Sequence, residues 1–285
     1  MSIEIEPVRT IEESRQVEEI ILQAWGGDAT ISIPDHLTIT MAKEGGGLVL
    51  LARDGSRPVG FCWGFLSFFG KDQKLKHCSH MAGVVPDYQG RQVGEQIKWA
   101  QRISVLEMGI NLITWTFDPL ETKNARLNLC KLGAVCRQYR RDIYGELRDS
   151  LNYGIATDRF YMEWWLDSPW VESHVNKVHS ELSVAEWKQN GAIMLGQPDG
   201  IEDTSLPNGQ LLFRIGKPPY LLIAVPRNYQ QMKQQDLELA RKWRLRTRRL
   251  FEEAFESDYT AIDLLVGEKF CYYVLARQFD PYGQF

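Results

Sequence analysis

Two glycines lie close together in the segment Val84-Val-Pro-Asp-Tyr-Gln-Gly-Arg-Gln-Val-Gly94, which joins a predicted strand to a predicted helix. Glycine lets the backbone approach a ligand closely. The first N–H groups of a helix attract phosphate, because they have no acceptor within the helix. The segment therefore indicates a phosphate-binding loop, and an ordinary strand-to-helix turn is the alternative interpretation.

Two further side chains near predicted strands are candidates for catalysis. His80 lies in the strand before the loop, and an imidazole pKa of about 6.5 suits proton removal at neutral pH. A hydrogen-bonded core histidine is the alternative. Asp118 follows a strand and precedes Pro119. Its carboxylate either binds a substrate ammonium or makes the structural hydrogen bond of an Asp-Pro turn.

Tyr144 is the third candidate, and it follows a basic stretch with Arg137, Arg140 and Arg141. Its phenol could donate a proton or bind substrate, and the arginines could attract the carboxylate of an acyl group or substrate. Alternating polar residues on an exposed strand need no function, so a surface strand is the alternative interpretation.

The elements that position these residues follow from apolar periodicity. Residues 77–85 and 112–117 are predicted strands, and residues 90–108 between them have helical period. This order predicts a β-α-β crossover with parallel strands. Further elements are expected as a strand at 3–7, a helix after the capping box of Thr10 and Glu13, a hairpin of 48–52 with 59–69, and strands at 135–144 and 160–166.

Two predicted helices in this region have distinct faces. The apolar face of helix 90–108 is expected to hold Val93, Ile97, Ala100 and Ile103. Helix 121–132 has an apolar face of Ala125, Leu129 and Leu132 and a polar stripe of Glu121, Asn124 and Asn128. That stripe is either solvated helix surface or a source of amide contacts to a ligand.

Beyond Pro169 the pattern begins afresh, which predicts a second, smaller α/β domain with its boundary near residue 170. A long helix is expected at 231–255, with Trp243, Thr247, Leu250 and Ala254 buried and its arginines on a charged solvent face. Strands are expected at 211–215, 221–225, 261–266 and 270–276.

Composition excludes several classes of partner. The 285 residues include 33 Lys and Arg against 37 Asp and Glu, a net charge of −4, so no positive field favours nucleic acid. The five cysteines are scattered without C-x-x-C spacing, which predicts reduced thiols, no metal site and a cytoplasmic protein. No run of 18 apolar residues and no apolar leader segment occurs, so no membrane partner is expected.

The order of elements up to residue 170, together with the loop, resembles the GNAT superfamily of acyl-CoA-dependent N-acyltransferases. That family's loop pattern, Gln/Arg-x-x-Gly-x-Gly/Ala, maps onto Gln89, Gln92, Val93 and Gly94, with Gln92 where glycine is usual. A non-glycine residue there can supply the same backbone N–H if its dihedral angles are helical. A longer combined match resembles one branch of GNAT acetyltransferases and comprises Ser79-His-Met, residues 113–120, Asn124-Ala, Leu127-Asn128, residues 131–134, Tyr144-Gly145, residues 158–160 and Glu163-Trp164.

The resemblance implies a GNAT-type mixed central sheet flanked by helices in residues 1–170. The smaller C-terminal α/β unit in 171–285 has no phosphate loop of its own, so we expect it to cover the acceptor site or to mediate homodimer contacts. The resemblance also implies that acetyl-CoA or another short acyl-CoA, such as succinyl-CoA, binds through the backbone. The implied pyrophosphate contacts are Gln89, Gly90, Arg91, Gln92, Val93 and Gly94. The implied pantetheine contacts are the strand edge of Gly83, Val84 and Val85, with Asn124 and Asn128 as candidate amide contacts.

In this family an amine attacks the thioester directly, so His80, Tyr144 and Asp118 are the implied catalytic candidates. The expected acceptor is the primary amine of a small molecule, with an amino acid as the leading candidate. A succinyl carboxylate would need an arginine such as Arg126, Arg137 or Arg140. The usual tyrosine acid is replaced by Leu129, which keeps open the alternative of a non-catalytic acyl-CoA-binding or regulatory protein, or of a scaffold without CoA.

Overall fold

The computed structural model describes residues 3–25, 32–44, 46–145, 154–178, 182–195 and 216–283. They group into two compact units, Met1–Trp115 and Thr116–Phe285. Helices and a mixed parallel and antiparallel sheet make up both units, so the predicted α/β class is confirmed. Among the described residues, no helix is both long enough and apolar enough to cross a membrane.

Unit 1 contains five strands in the order β1-β2-β3-β4-β5, of which β1 to β4 are antiparallel neighbours and β5 runs parallel to β4. The parallel pair confirms the predicted crossover. The strands are β1 (Ile3–Pro7), β2 (Gly47–Asp54), β3 (Arg57–Phe69), β4 (Lys74–Val84) and β5 (Leu112–Phe117), and the helices are α1 (Ile11–Trp25), α2 (Asp35–Glu44) and α3 (Val93–Glu107).

Local sequence signals explain where these elements begin and turn. Thr10 Oγ1 accepts from the Glu13 N–H, and the Glu13 carboxylate accepts from the Thr10 N–H, so the predicted capping box starts α1. Gly55 has a φ of +58° in the two-residue turn between β2 and β3, which is a conformation that glycine adopts without strain.

β4 and β5 diverge soon after they meet. They pair only at His77 with Ile113 and at Cys78 with Thr114. The register of β4 against β3 skips His80, which is therefore the extra residue of a β-bulge. A bulge bends its strand, so β4 turns away from β5 from this point. Within the described residues, the edge of β4 over 79–84 that faced β5 has no strand partner.

The buried face of α3 differs from the predicted one. Val93 and Ile97 are buried as expected, but Ile103 is 57% exposed. Lys98 and Gln101 are buried instead, on the side of the helix that faces β4. The apolar periodicity of this helix thus identified only two of its five buried residues.

Unit 2 contains strands in the order β7-β6-β10-β11-β9-β8, all antiparallel neighbours except β8 and β9, which are parallel. The strands are β6 (Val135–Arg140), β7 (Arg159–Trp165), β8 (Ala192–Met194), β9 (Tyr220–Pro226), β10 (Tyr259–Val266) and β11 (Phe270–Arg277). The helices are α4 (Thr122–Ala125), α5 (Pro169–Val175), α6 (Val184–Gln189), α7 (Tyr229–Gln235) and α8 (Leu237–Glu256).

Several expectations for this unit change in detail. Cys136 on β6 pairs with Ala261 on β10, so strands from both sides of residue 170 share one sheet, and the boundary between the compact units falls at 115/116. The predicted helix 231–255 is interrupted at Asp236, whose backbone is extended and whose carboxylate caps α8 by accepting from the Leu239 N–H. The predicted strand at 211–215 lies outside the described residues.

Candidate functional site

The unpartnered edge of β4 leads directly into the predicted phosphate loop. After β4 the chain makes a 3₁₀ turn, Pro86–Tyr88, and enters α3 at Val93. The first hydrogen bond within α3 runs from the Gln96 N–H to the Gln92 carbonyl. The N–H groups of Val93 and Gly94 precede it, so they have no acceptor within the helix, and no side chain of Gln92 caps them. This loop can therefore bind an anion.

Gln92 adopts a backbone conformation that favours glycine. Its φ of +64° and ψ of 7° are left-handed, which costs an L-residue roughly 1 kcal/mol. The family pattern, which usually has glycine here, fits this conformation. The angles are not those of a right-handed helix, so Gln92 does not meet the condition of helical dihedral angles under which a non-glycine residue was expected to replace glycine.

The two glycines of the loop face unfilled space. A Cβ on Gly90 would meet no atom within 4 Å, and one on Gly94 would lie 3.8 Å from its nearest neighbour, Val84. Gly83 differs, since a Cβ there would lie 2.8 Å from the Trp25 ring. Packing therefore requires glycine at 83, whereas the space at 90 and 94 is open to a ligand.

Tyr88 fixes the loop to the turn between β2 and β3. Its hydroxyl donates to Asp54 Oδ2 at 2.8 Å. The guanidinium groups of Arg57 and Arg91 lie 5.1 and 5.0 Å from its ring centroid. Arg57 also pairs with Asp87 at 2.8 Å. Arg91, predicted as a cofactor contact through its backbone, thus contributes its side chain to holding the loop.

His80 occupies the bulge where the strands diverge. The residue is exposed, and its ring lies 5.7 Å from that of Trp63 and 6.2 Å from that of Phe65. Partial burial lowers the pKa of His80 below its ordinary value, so the imidazole is neutral at neutral pH and can accept a proton. The alternative interpretation of His80 as a core histidine does not hold, because His80 is exposed. The neighbouring His77 is the buried histidine of this strand.

A buried polar cluster lies between β4 and α3. His77 Nε2 is 3.2 Å from Gln101 Nε2, and burial together with Lys98 lowers the pKa of His77 to about 3. His77 is therefore neutral and accepts from the Gln101 amide. Lys98 Nζ donates to Ser79 Oγ at 3.1 Å and to Gln101 Oε1 at 2.5 Å. The ammonium also lies 4.2 Å from the ring centroid of Trp115 on β5.

Asp118 in unit 2 belongs to a buried ion pair. Arg244 donates to both carboxylate oxygens, with Nη1 at 2.8 Å from Oδ1. Oδ1 also accepts from the Leu120 N–H at 2.9 Å, which confirms the structural hydrogen bond of an Asp-Pro turn. Burial opposes the charge on Arg244, yet Asp118 raises the pKa of Arg244 well above its ordinary value. With these contacts made, the carboxylate is poorly placed to bind a substrate ammonium.

Tyr144 is exposed and lies in unit 2 close to Arg159. Its hydroxyl is hydrogen-bonded to Thr116 Oγ1 at 2.8 Å. The guanidinium of Arg159 lies 5.5 Å from its ring centroid, and Arg159 Nη1 is 3.9 Å from Asp118 Oδ2. Tyr144 and Asp118 therefore contact the same arginine, and the Tyr144 hydroxyl faces accessible surface.

The predicted polar stripe of Glu121, Asn124 and Asn128 is not continuous. α4 ends at Ala125, and residues Arg126–Lys131 form a π-helical turn. This wider turn rotates the following side chains relative to an α-helix. Asn124 is exposed, whereas Asn128 is 6% exposed. The apolar face of the same segment is buried as predicted, and Leu129 has no exposed surface.

Of the arginines considered for an acyl or substrate carboxylate, Arg137, Arg140 and Arg141 have other contacts. Arg137 Nε lies 3.8 Å from the Glu163 carboxylate, and Arg140 stacks 3.8 Å from the Tyr161 ring centroid. Arg141 donates two hydrogen bonds to Glu252. Arg126 is exposed on the π-helical turn.

The structure thus brings His80, the β4 edge and the loop 89–94 together in unit 1, while Asp118, Tyr144, Asn124 and Asn128 lie in unit 2. Sequence reasoning missed Tyr88, Lys98 and Arg244. Lys98 precedes Gln101 by three positions, about one helical turn, but the local sequence does not indicate that this pair is buried. Among the described residues, no group of His, Cys, Asp and Glu is arranged to hold a metal ion.

No protein-family model and no curated protein matches the chain. Solved structures of GNAT-family acetyltransferases are similar to it over about 57% of its length. An acetyltransferase of the GNAT family from Streptococcus pneumoniae matches 57% of this chain and 98% of its own, with 12% identity and a TM-score of 0.46. The IAA acetyltransferase from Bacillus cereus covers the same two shares, with 15% identity and a TM-score of 0.40.

Proposed function

We propose that this protein is an acyl-CoA-dependent N-acyltransferase of the GNAT type. It transfers an acetyl or succinyl group to a primary amine of a small molecule, with an amino acid as the leading acceptor. The observation that carries the proposal is the bulged, unpartnered edge of β4, which runs directly into a loop with uncapped N–H groups at the start of α3.

These features suit the two chemical parts of coenzyme A. Pantetheine carries amides and is extended, so it can add to the β4 edge over 79–84 as a further strand does. The pyrophosphate of coenzyme A requires several N–H donors and space for its oxygens. Val93 and Gly94 provide donors, and the open side of Gly90 provides space. Both sets of contacts use backbone atoms, so they tolerate the unusual Gln92.

His80 is the candidate base for the transfer. The attacking amine must be neutral, and an exposed neutral imidazole beside the diverging strands can take its proton directly or through one water. The new bond joins the amine nitrogen to the acyl carbon, and the carbon–sulfur bond breaks. The thiolate that leaves then takes a proton from water or from the imidazolium that His80 has become.

Calorimetric titration of acetyl-CoA and succinyl-CoA tests the binding half of the proposal. We expect micromolar affinity for the wild type. Gly94→Glu should weaken binding at least tenfold, because it places a carboxylate where the phosphates bind. The space beside Gly94 accepts a side chain, and an acidic residue suits a helix start, so the unfolding temperature should not fall.

Ile103→Glu is the matched control for this titration. It adds the same charge to an exposed position of the same helix, 57% exposed and nine residues further on. Its affinity should equal that of the wild type. Absence of wild-type binding, or equal weakening by both variants, would contradict the proposed site.

Burial of Leu129 favours a second candidate function. The family's usual tyrosine acid is replaced here by a side chain with no exposed surface, which cannot donate a proton. A non-catalytic acyl-CoA-binding or regulatory protein would have no need of that acid. Product formation from a panel of primary amines decides between the two, since tight binding without turnover on any of them favours the regulatory protein.

A further inference from the structure

A lysine lies buried close to the start of α3. Lys98 is 6% exposed, and its ammonium donates to Ser79 Oγ on β4 and to Gln101 Oε1 on its own helix. The ring of Trp115 on β5 lies against it at 4.2 Å. The ammonium therefore contacts both diverging strands at the level where their pairing ends.

Titratable groups from two strands also face this ammonium. Cys62 on β3 and Cys78 on β4 interact with it electrostatically, as does His77 on β4. Burial lowers the pKa of Lys98 to about 8, while the two thiols act in the opposite direction. Burial raises the pKa of Cys62 to about 11, and His77 is neutral. Lys98 therefore changes charge near pH 8, whereas Cys62 and His77 do not.

The position of Lys98 places its charge near the proposed phosphate site. It lies five residues after Val93, about 7–8 Å along the helix axis. Side chains on a helix lean towards its N-terminus, so the ammonium lies nearer to the first turn than its Cα does. A full charge at roughly 10 Å with an effective dielectric constant of about 20 changes the affinity for one negative charge roughly tenfold.

We propose that Lys98 is an electrostatic binding residue for the anionic cofactor, and that binding of acyl-CoA is coupled to uptake of a proton by this buried amine. The inference rests on the proposed function. The phosphates favour the charged form of Lys98, so by linkage the charged form favours the phosphates. Affinity should therefore fall as the pH rises past 8.

The test is calorimetry with acetyl-CoA, which has no free thiol to titrate in this range. Titrations at about pH 8 in two buffers of different ionisation enthalpy give the number of protons exchanged. We expect the wild type to take up a fraction of one proton. Lys98→Met should take up none, should bind roughly tenfold more weakly at about pH 7, and should match the wild type at about pH 10.

Lys71→Met is the control, because it removes the same charge from an exposed turn of the same unit. It should keep both the affinity and the proton uptake of the wild type. Binding without proton uptake by the wild type overturns the inference and leaves the proposed function intact, and this measurement needs no variant. Equal affinity of Lys98→Met and wild type at about pH 7 also overturns it. Absence of wild-type binding overturns the proposed function, and the inference with it.

Discussion

Lys98 in unit 1 and Arg244 in unit 2 are both buried cations, and they are stabilised in different ways. In unit 2, Arg244 meets the carboxylate of Asp118, and the pKa of Arg244 rises although burial opposes it. In unit 1, Lys98 meets the neutral side chains of Ser79 and Gln101 and the Trp115 ring, and burial lowers its pKa to about 8. A carboxylate stabilises the Arg244 guanidinium, whereas neutral side chains and an aromatic ring contact the Lys98 ammonium.

This difference distinguishes a structural ion pair from the cation that we propose binds the cofactor. A buried ion pair becomes costly when one member is removed, because the other charge is left uncompensated. A buried cation that is easily discharged weakens the fold and is retained where its charge serves a ligand or a reaction. The comparison therefore predicts opposite effects on stability for equivalent substitutions at the two positions.

The largest expected effect is the loss of stability in Arg244→Met. Without Arg244, the largely buried Asp118 carboxylate keeps only the longer of its two ion pairs, the 3.9 Å contact with Arg159, and the free energy of unfolding should fall by about 3 kcal/mol. Urea denaturation measures the change. Arg241→Met removes an exposed i,i+3 pair with Glu238 from the same helix and should change stability by less than about 0.5 kcal/mol. Equal effects of the two variants would show that the ion pair of Arg244 with Asp118 does not stabilise the fold.

Lys98→Met should raise the free energy of unfolding, by about 2 kcal/mol at about pH 7. The folded-state pKa of about 8 lies below the ordinary value of 10.5. The charged lysine therefore destabilises the fold below pH 8, and this penalty disappears as the pH rises through 10.5. The advantage of the variant should shrink over the same interval. A variant that is less stable than the wild type at about pH 7 would show that Lys98 is structural.

His80→Ala should lower turnover at least tenfold while leaving the affinity for acetyl-CoA nearly unchanged, as expected of a base that acts mainly in the transition state. Because the pKa of His80 is lowered, wild-type turnover should decline only below about pH 6.5. His36→Ala is the control, since its side chain is 81% exposed. Unchanged turnover in His80→Ala would exclude His80 from the mechanism.

The smallest expected effect is a gain of about 1 kcal/mol or less in Gln92→Gly. Glycine adopts the left-handed angles of this position without the strain of a side chain. Gln96→Gly, in the regular part of α3, should instead cost about 1 kcal/mol. Thermal unfolding of both variants checks the pair, and a loss of stability in Gln92→Gly would contradict the strained conformation.

Sequence patterning predicted the framework well, because apolar alternation and capping signals act locally. The capping box at Thr10, the parallel crossover and the buried stripe of α8 are confirmed. The polar interior escaped prediction, because lysine and arginine usually lie at the surface. Lys98 and Arg244 are buried through partners on other elements, such as Ser79 and Asp118, which local sequence does not identify.

Backbone irregularities were the second group of features that the sequence did not predict. The π-helical turn Arg126–Lys131 separates Asn124 from Asn128, although helical spacing had placed them on one face. The bulge at His80 and the left-handed Gln92 likewise depend on neighbouring strands and loop closure rather than on residue preference. The loop itself was predicted, whereas its anchor, Tyr88, became evident only from its contacts.

Hydrogen exchange with and without acetyl-CoA tests most directly whether the cofactor binds along β4 and the start of α3. We expect slower exchange of backbone amides in residues 79–84 and 90–95, with α8 unchanged as an internal reference. Binding that protects other segments and leaves these two unchanged would contradict the account, as would the absence of any binding.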